Sequence, residues 1–424
     1  MDNKRYVIIG GSAAGMAAAE TIRTCDPNGH IQVLSEEGDA PYFRPMIPFV
    51  VSRKKKADEI SMQGQGPYRA ENVEIRLATR ITGIDTRTAS VITEQGESIS
   101  YDRLLIATGS RPNIPQNITN LNCNGVFALR TLADARQASE RAKNTTHAIL
   151  LGGGLLNLKA AFALLERGIK VTLVVYSPEI LSQLMEPADA LLLRRALGRA
   201  GLTILTDCSA VQIRSDRHGV RAVTLDNGLE LVCRMVCIGK GVRPNADWID
   251  NNEITLDKGV VVDKYTCTGA DHVYAAGDVA VTYESITGKP VVTGLWTNAV
   301  EMGRCAGANM AGRPTVYGGT FGIMNATQIA RMPFVSMGMV HTTGTDYETH
   351  CKSSRESYRK LVFSPEGDRL IGALFIGDIS GAGLYRAIIR ERLRINEIKP
   401  RVIDHTLHYG HLLCAKGYEK GTVQ

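Results

Sequence analysis

The chain has 424 residues, of which 44% are hydrophobic and 22% are charged, and its formal net charge is +6. This is ordinary globular composition, and the length predicts two or three domains. No run of about 18 apolar residues occurs, so no membrane-spanning helix is expected. The mild positive charge favours acidic partners, but the Arg-Lys-Lys-Lys run at residues 53–56 has no interleaved aromatic residues and indicates a solvated surface rather than a nucleic-acid site.

Nine cysteines are present, an odd number, and no Cys-x-x-Cys pair occurs. Cys233 and Cys237 stand in an apolar run that predicts a strand, where about 13 Å would separate them, too far for a disulfide. Reduced thiols are therefore expected for most of the nine. The first residues run directly into a predicted strand and leave no room for a signal peptide, so the cytoplasm is the expected location.

The first structural unit is a strand, a glycine-rich turn, a helix and a second strand. Strands are predicted at residues 6–9 and 31–34, with an alanine-rich helix between them that extends to about residue 23. The turn, residues 10–15, reads Gly-Gly-Ser-Ala-Ala-Gly, and an acidic pair follows the second strand. This order is typical of a dinucleotide-binding unit, although one such turn alone is weak evidence.

In a dinucleotide-binding unit the turn approaches a pyrophosphate, and the helix N-terminus points at the anion. Gly10 and Gly15 match the first and last glycines of the pattern, and Ser12, which is also small, replaces the middle one. An acid after the second strand accepts hydrogen bonds from a ribose. The predicted contacts are Gly10, Ser12, Ala13, Ala14, Gly15, Glu36 and, as the alternative to Glu36, Glu37.

The same pattern returns about 140 residues later, and two copies in matching context are much stronger evidence than one. Strands are predicted at residues 147–151 and 170–175, and a helix from about residue 158 to 167. The second strand ends in Val-Tyr-Ser with neither an acid nor an arginine, so NADH is only modestly favoured, with Glu179 expected to repel a 2′-phosphate. The predicted cofactor contacts here are Gly152, Gly154, Leu155 and Leu156.

Three more apolar runs end in glycine and predict buried parallel strands. They end in Ala107-Thr108-Gly109, in Gly239 and in Gly277-Asp278, and these glycine ends are further candidate cofactor contacts. A helix is predicted from Trp296 to about Met310. From about Thr320 onward no nucleotide signature occurs, and short strands with a helix near residues 382–392 predict a smaller α+β domain.

With both glycine turns and the Ala107-Thr108-Gly109 and Gly277-Asp278 segments, the sequence resembles the pyridine nucleotide–disulfide oxidoreductase superfamily over almost the whole chain. The resemblance implies an α/β fold with two Rossmann-like three-layer nucleotide-binding domains and a C-terminal α+β domain. Asp278 would hold the ribityl or phosphate side of FAD, and Thr108 and Gly109 would close the FAD site. The implied domains are residues 1–112 and 241–319 for FAD, residues 113–240 for an inserted NAD(H) domain, and residues 320–424 for an interface domain.

Segments 41–46, 295–299 and 375–383 resemble NADH-dependent reductases of rubredoxin and ferredoxin-like proteins, the flavin part of assimilatory nitrite reductases, and FAD–NAD oxidoreductases associated with carbon monoxide dehydrogenases. These subtypes stay open, as does a homodimer. The resemblance implies FAD and NAD(H) as cofactors and a small iron–sulfur protein as partner, with a carbon monoxide dehydrogenase system as one source. The flavin would contact Arg44, Pro45, Trp296 and Thr297, and the helix that begins at Trp296 would stabilise the reduced flavin.

Two departures from the family pattern bear on chemistry. Residues 43–48 contain no cysteine, whereas the disulfide-reducing branches carry a reactive one there, so no thiol relay is expected. A Lys–Glu pair beside the flavin is replaced by Phe49 and Lys159. The catalytic candidates are therefore Lys159, Arg44 and Pro45, with the Lys159 side chain approaching the place where nicotinamide meets flavin.

His405, His408, His411 and Cys414 recur at every third residue. We do not predict a metal site, because this spacing drifts round a helix and Gly410 opposes a long one; a tail that docks near the active site is favoured instead. The predicted function is hydride transfer between NAD(H) and FAD with electron exchange to an iron–sulfur protein. The alternatives are an NADH oxidase that uses oxygen and a non-catalytic flavoprotein that senses NAD(H).

Overall fold

The computed structural model describes residues 3–62, 73–250, 252–320, 322, 324–342 and 347–415, without the side chains of Ala188 and Cys414. Its helices are α1 Ala13–Cys25, α2 Ile47–Val51, α3 Leu132–Arg141, α4 Leu155–Leu165, α5 Pro187–Arg199, α6 Trp296–Met310, α7 Ala382–Glu391, α8 Lys399–Asp404 and α9 Tyr409–Ala415. Its strands are β1 Arg5–Ile9, β2 His30–Leu34, β3 Val73–Arg76, β4 Ile81–Asp85, β5 Ser90–Thr93, β6 Ser98–Ser100, β7 Arg103–Ile106, β8 Ser110–Pro112, β9 Val126–Phe127, β10 His147–Leu151, β11 Lys170–Val174, β12 Leu202–Leu205, β13 Ala210–Asp216, β14 Gly219–Leu225, β15 Glu230–Val232, β16 Met235–Ile238, β17 Val242–Pro244, β18 Val260–Val261, β19 Val273–Ala275, β20 Ala280–Tyr283, β21 Pro290–Val291, β22 Asn325–Ile329, β23 Met332–Gly338, β24 Thr349–Ser353, β25 Tyr358–Phe363 and β26 Leu370–Ile376.

The described residues form two compact units. The first unit draws on Met1–Pro115, Ala128–Lys143 and Lys240–Thr320, and the second on Gln116–Phe127, Asn144–Gly239 and Phe321–Gln424. No helix of the described residues is both long and apolar enough to cross a bilayer.

The first unit is built on a parallel sheet with the strand order β19-β7-β1-β2-β3. Its central strands are almost continuously apolar and buried, as expected of parallel strands covered on both faces. Helix α1 packs closely on α6, because a Cβ at Gly303 would lie 2.2 Å from the Ala14 carbonyl oxygen. Glycine on α6 therefore brings the two helices together directly behind the first glycine turn.

The second unit contains two five-stranded sheets of different kinds and a three-stranded antiparallel sheet with the order β13-β14-β15. A parallel sheet with the order β12-β11-β10-β16-β9 repeats the arrangement of the first unit. The order β22-β23-β26-β25-β24 forms an antiparallel sheet accompanied by α7, α8 and α9. The predicted α/β class and the α+β character of the last hundred residues are thus confirmed.

A buried ion cluster joins α5 to the antiparallel sheet within the second unit. The Lys360 ammonium, on β25 and 2% exposed, lies 3.0 Å from a Glu186 carboxylate oxygen and 3.6 Å from an Asp189 oxygen. Thr342 donates its backbone N–H and its hydroxyl to the other oxygen of Glu186, at 2.9 and 3.0 Å. Burial alone would raise the pKa of Glu186, but Thr342 and Lys360 lower it to about 2. The cluster therefore holds a carboxylate that stays charged.

Candidate functional site

The first glycine turn has a geometry that only glycine can take. Gly10 has φ +117°, and a Cβ on it would lie 2.1 Å from the Ala107 carbonyl oxygen. A Cβ on Gly15 would lie 1.9 Å from the Gly10 carbonyl oxygen. Both distances are far below van der Waals contact, so the close approach of strand, turn and helix depends on these two residues.

Helix α1 presents its N-terminus at this turn. Ser12 is its N-cap and adopts an extended conformation, but within the described part of the chain its hydroxyl does not cap the helix. Ala13 and Ala14, the first two helical residues, are buried and small. The first-turn N–H groups are therefore left for an anion, and the cradle fits the pyrophosphate of a dinucleotide.

Gly277 and Asp278 lie beside the same turn, although they are distant from it in the sequence. A Cβ on Gly277, which has φ +81°, would lie 3.1 Å from the Ala14 Cβ atom. The Asp278 carboxylate is 13% exposed and accepts hydrogen bonds from the Ser110 hydroxyl at 2.7 Å and from Arg130 at 3.1 Å. Asp278 is thus fixed in orientation next to the cradle.

Arg130 is the centre of this polar network, and sequence reasoning missed it. Its guanidinium also donates to the Ser110 carbonyl oxygen at 2.9 Å, and its own carbonyl oxygen accepts from Arg44 at 2.7 Å. Burial, and then the charge of Arg44, lower the pKa of Arg130, while Asp278 opposes them. The available signal was the capping box formed by Thr131 and Asp134, which marks the start of α3 immediately after Arg130.

Arg44 is held in turn by an acid from the end of β2. It lies 2.6 Å from Glu37, whose other oxygen accepts from the Tyr42 hydroxyl at 2.7 Å. Burial would lower the pKa of Arg44, but Tyr42 and Glu37 outweigh it and raise the pKa above its ordinary value. Glu36, by contrast, is exposed and 3.7 Å from Arg80. Of the two acids considered for the ribose, Glu36 is the more accessible and Glu37 is engaged with Arg44.

The other candidates of the first unit lie around this network. Thr108 donates its hydroxyl to the Asn245 carbonyl oxygen at 2.8 Å, and Gly109 has φ +69°. Trp296 begins α6, as predicted, and its ring lies 6.0 Å from that of Phe43. Immediately after Phe43, a short 3-10 helix contains Arg44 and Pro45. Thr297 is exposed in the first turn of α6.

The second glycine turn differs from the first in how it is closed. Gly152 has φ +109°, and Gly154 is the N-cap of α4, which begins at Leu155 rather than near residue 158 as predicted. Asn157 donates its side-chain amide to the carbonyl oxygens of Leu151 and Gly152, each at 2.9 Å. A Cβ on Gly239 would lie 2.3 Å from that amide. Gly239 therefore makes room for Asn157, the residue that replaces the last glycine of the pattern.

Glu179, which the sequence predicts to repel a 2′-phosphate, is buried and paired within the second unit. It is 4% exposed, and its carboxylate accepts from the Ile180 N–H at 2.8 Å and from Arg194 at 3.2 Å. The repulsion of a 2′-phosphate expected from Glu179 is therefore offset by Arg194. Tyr176, at the end of β11, is 77% exposed, and Leu156, in the first turn of α4, is 41% exposed.

Lys159 and Phe49 occupy the positions of the missing Lys–Glu pair. Lys159 is partly buried on α4, and burial lowers its pKa. Among the described residues, neither a hydrogen bond nor a neighbouring charge contributes to this lowering of the Lys159 pKa. Phe49 is 44% exposed on α2. Phe49 belongs to the first unit and Lys159 to the second, and the approach of Lys159 to the flavin stays a prediction.

The histidines at positions 405, 408 and 411 contact other side chains of the protein. His405 is hydrogen-bonded through Nδ1 to the Tyr385 hydroxyl at 2.8 Å, and the rings of His408 and His411 stack 3.6 Å apart. Over the described ranges, no three His, Cys, Asp or Glu side chains are grouped as metal ligands. The side chain of Cys414 lies outside the described residues. Among the cysteines whose side chains are described, none is joined in a disulfide.

Comparisons with known proteins agree with this geometry. Residues 4–303 match the family model described as "Pyridine nucleotide-disulphide oxidoreductase". The chain is 27% identical over 420 residues, 98% of each chain, to the NADH-dependent phenylglyoxylate dehydrogenase subunit epsilon of Aromatoleum evansii. It is 28% identical over 399 residues, 92% of this chain and 95% of the relative, to the NADH-rubredoxin oxidoreductase of Clostridium acetobutylicum.

The fold is shared with solved structures. The crystal structure of the covalent putidaredoxin reductase–putidaredoxin complex superimposes with a TM-score of 0.87 at 21% identity, covering 99% of this chain and 100% of that one. The family match covers most of the chain and includes both glycine turns and Asp278. The chain therefore belongs to the pyridine nucleotide–disulphide oxidoreductase family, and it is an oxidoreductase whose cofactors are FAD and NAD(H).

Proposed function

We propose that this chain carries electrons between NAD(H) and a small iron–sulfur protein of the rubredoxin or ferredoxin kind. Bound FAD would convert two-electron transfer into one-electron transfer, because a flavin takes a hydride as two electrons and can return them one at a time. The observation that carries the proposal is the absence of a cysteine from residues 43–48, beside an intact FAD cradle. Relatives named rubredoxin-NAD(+) reductase and NADH-rubredoxin oxidoreductase support the same partner class.

The chain's own residues would bind and orient the cofactors. In the first unit, the N-terminus of α1 would take the FAD pyrophosphate and Glu36 the adenosine ribose, with Glu37 as the alternative. Asp278, held by Arg130, would bind the ribityl or phosphate side, while Arg44, Pro45, Trp296 and Thr297 would contact the flavin. We assign residues 1–112 and 241–319 to FAD, residues 113–240 to NAD(H) and residues 320–424 to an interface domain.

In the NAD(H) domain, the turn residues Gly152, Gly154, Leu155 and Leu156 would receive the nicotinamide dinucleotide. Lys159 follows on the same helix, and we place its ammonium where nicotinamide approaches flavin. A positive charge there favours the reduced, more negative flavin. We propose the reducing cytoplasm as the location of the protein, which is compatible with described cysteines that form no disulfide.

A second candidate is a subunit that passes electrons from a larger dehydrogenase to NAD⁺. The relative named phenylglyoxylate dehydrogenase subunit epsilon matches this chain over 98% of both lengths. In that case the iron–sulfur partner would belong to a companion subunit, and electrons would run toward NAD⁺. A partner from a carbon monoxide dehydrogenase system belongs to the same class.

Anaerobic turnover with NADH and a panel of iron–sulfur proteins tests the proposal. The panel comprises a rubredoxin, a [2Fe–2S] ferredoxin and a [4Fe–4S] ferredoxin, each followed by its visible absorbance. We expect catalytic reduction of at least one, with the reverse reaction from the reduced protein to NAD⁺ as a measure of direction. An oxidase would turn over only after oxygen is admitted. A sensor would reduce its flavin once and stop, and either result would contradict the proposal.

A further inference from the structure

The loop after β11 borders the second glycine turn, although its sequence carries no recognisable selector for the adenosine ribose. A Cβ on Gly153 would lie 3.2 Å from the Ile180 Cα atom, and the Leu181 N–H donates to the Gly153 carbonyl oxygen at 3.0 Å. The end of this strand is where a dinucleotide-binding fold reads the ribose 2′ position. Tyr176 and Ser177 stand there instead of an acid or an arginine.

An internal ion pair lies directly in this loop. The Glu179 carboxylate, 5% exposed, accepts from the Arg194 guanidinium of α5, which is 37% exposed. The Glu179 carboxylate also accepts a hydrogen bond from the N–H of Ile180, the residue that borders Gly153, and this bond fixes its position. The Ser177 hydroxyl is also engaged inside the loop, with the Glu179 carbonyl oxygen and the Ser182 hydroxyl, each at 3.1 Å.

Arg194 is therefore a cation beside the loop that follows β11, and its charge is already matched by Glu179. A guanidinium is the side chain best suited to a phosphate, because it donates in a planar fork and keeps its charge. Paired with the fixed carboxylate of Glu179, the same guanidinium offers little net attraction. A 2′-phosphate would have to compete with Glu179 for this guanidinium.

We propose that the Glu179–Arg194 pair sets the preference of this chain for NADH over NADPH by withholding Arg194 from the 2′-phosphate. An internal ion pair then selects NADH over NADPH, a task that ordinarily falls to an acid at the end of the strand. The inference rests on the proposed binding of NAD(H) by residues 113–240.

Binding of two adenosine nucleotides to the FAD-loaded full chain tests the pair without turnover. The probes are 2′,5′-ADP and 5′-AMP, which differ only in the 2′-phosphate, and isothermal titration calorimetry measures each dissociation constant. In Glu179→Gln we expect 2′,5′-ADP to bind about three- to fivefold more tightly, the effect of one partly exposed charge pair. Affinity for 5′-AMP should stay within twofold, and kcat/KM for NADPH should rise relative to that for NADH.

Two further variants identify the source of the gain. The double variant Glu179→Gln/Arg194→Gln should lose it, because no guanidinium is left to bind the phosphate. Glu230→Gln is the matched control, since it removes a carboxylate 3.0 Å from Arg214 on the separate three-stranded sheet of the second unit. It makes the same change in net charge and should alter neither probe.

Two results would overturn the inference. One is equal weakening of both probes in Glu179→Gln, which would mean that Glu179 only holds the loop. The other is a gain that persists in the double variant, which would exclude Arg194. Failure of NADH to reduce the flavin of the unaltered protein would instead contradict the proposed function, so the two failures are distinguishable.

Discussion

Replacing Arg130 by methionine removes the centre of the polar network while keeping a side chain of similar length. Among the described residues, the change leaves Asp278, 13% exposed, with the Ser110 hydroxyl as its side-chain donor. Removing one partner of a buried pair costs about 3–5 kcal/mol, and the residual exposure of Arg130 reduces this to about 2–3 kcal/mol. We expect FAD binding to need an oriented Asp278, so the same free energy corresponds to roughly 30- to 140-fold weaker affinity for FAD.

The assay is the dissociation constant of FAD, measured by the fluorescence of free flavin as apoprotein is titrated. Arg136→Met is the matched control, because Arg136 lies 2.8 Å from Asp39 but is 50% exposed, and an exposed pair contributes about 0–1 kcal/mol. Circular dichroism establishes that both variants fold. If Arg130→Met bound FAD as tightly as Arg136→Met, the network would have no part in holding the cofactor.

Three further predictions concern other parts of the chain. Lys159→Glu should lower the flavin midpoint potential by roughly 20–40 mV, about 1–2 kcal/mol, and slow reduction by NADH at normal FAD content; an unchanged potential in spectroelectrochemical titration would leave Lys159 a surface residue. Lys360→Met should cost about 3–5 kcal/mol in urea unfolding, because it leaves buried carboxylates unpaired. Because the pKa of Glu186 is lowered to about 2, its contribution to stability is full above its ordinary pKa of 4.5 and is lost as the pH falls toward 2. This acid-sensitive part of the stability should shrink in Lys360→Met. Identical pH profiles of the two proteins would contradict the pairing. Neutralising residues 53–56 should slow reduction of an acidic partner, weaken its salt dependence and spare flavin reduction by NADH; salt-independent kinetics in the unaltered chain would indicate apolar docking.

The local parts of the fold were predictable, because a glycine turn between a strand and a helix is written within a few residues. Gly10 and Gly15 were identified this way, and the structure shows why no other residue fits. Helix α6 also begins at Trp296 as predicted. Helix α4 begins earlier than predicted, because the extended conformation of Gly154, which allows Leu155 to start the helix, leaves no trace in composition.

The parts that sequence reasoning missed depend on residues far apart in the chain. Arg130 joins Arg44, 86 residues before it, to Asp278, 148 residues after it, and no periodicity reports such a contact. The pairing of Glu179 with Arg194 was also missed, because it depends on how the loop folds against α5. Asn157 stands where the glycine pattern has its last glycine, and it is accommodated by Gly239, which lies on a different strand connection.

An anaerobic titration of the FAD-loaded protein with NADH tests most directly the central claim that hydride passes to the flavin without a thiol relay. Each flavin should take up two electrons, with bleaching of its absorbance and no long-wavelength thiolate–flavin charge-transfer band of the disulfide-reductase type. Prior alkylation of thiols should leave this stoichiometry unchanged. Uptake of four electrons per flavin, reduced to two by alkylation, would contradict the claim.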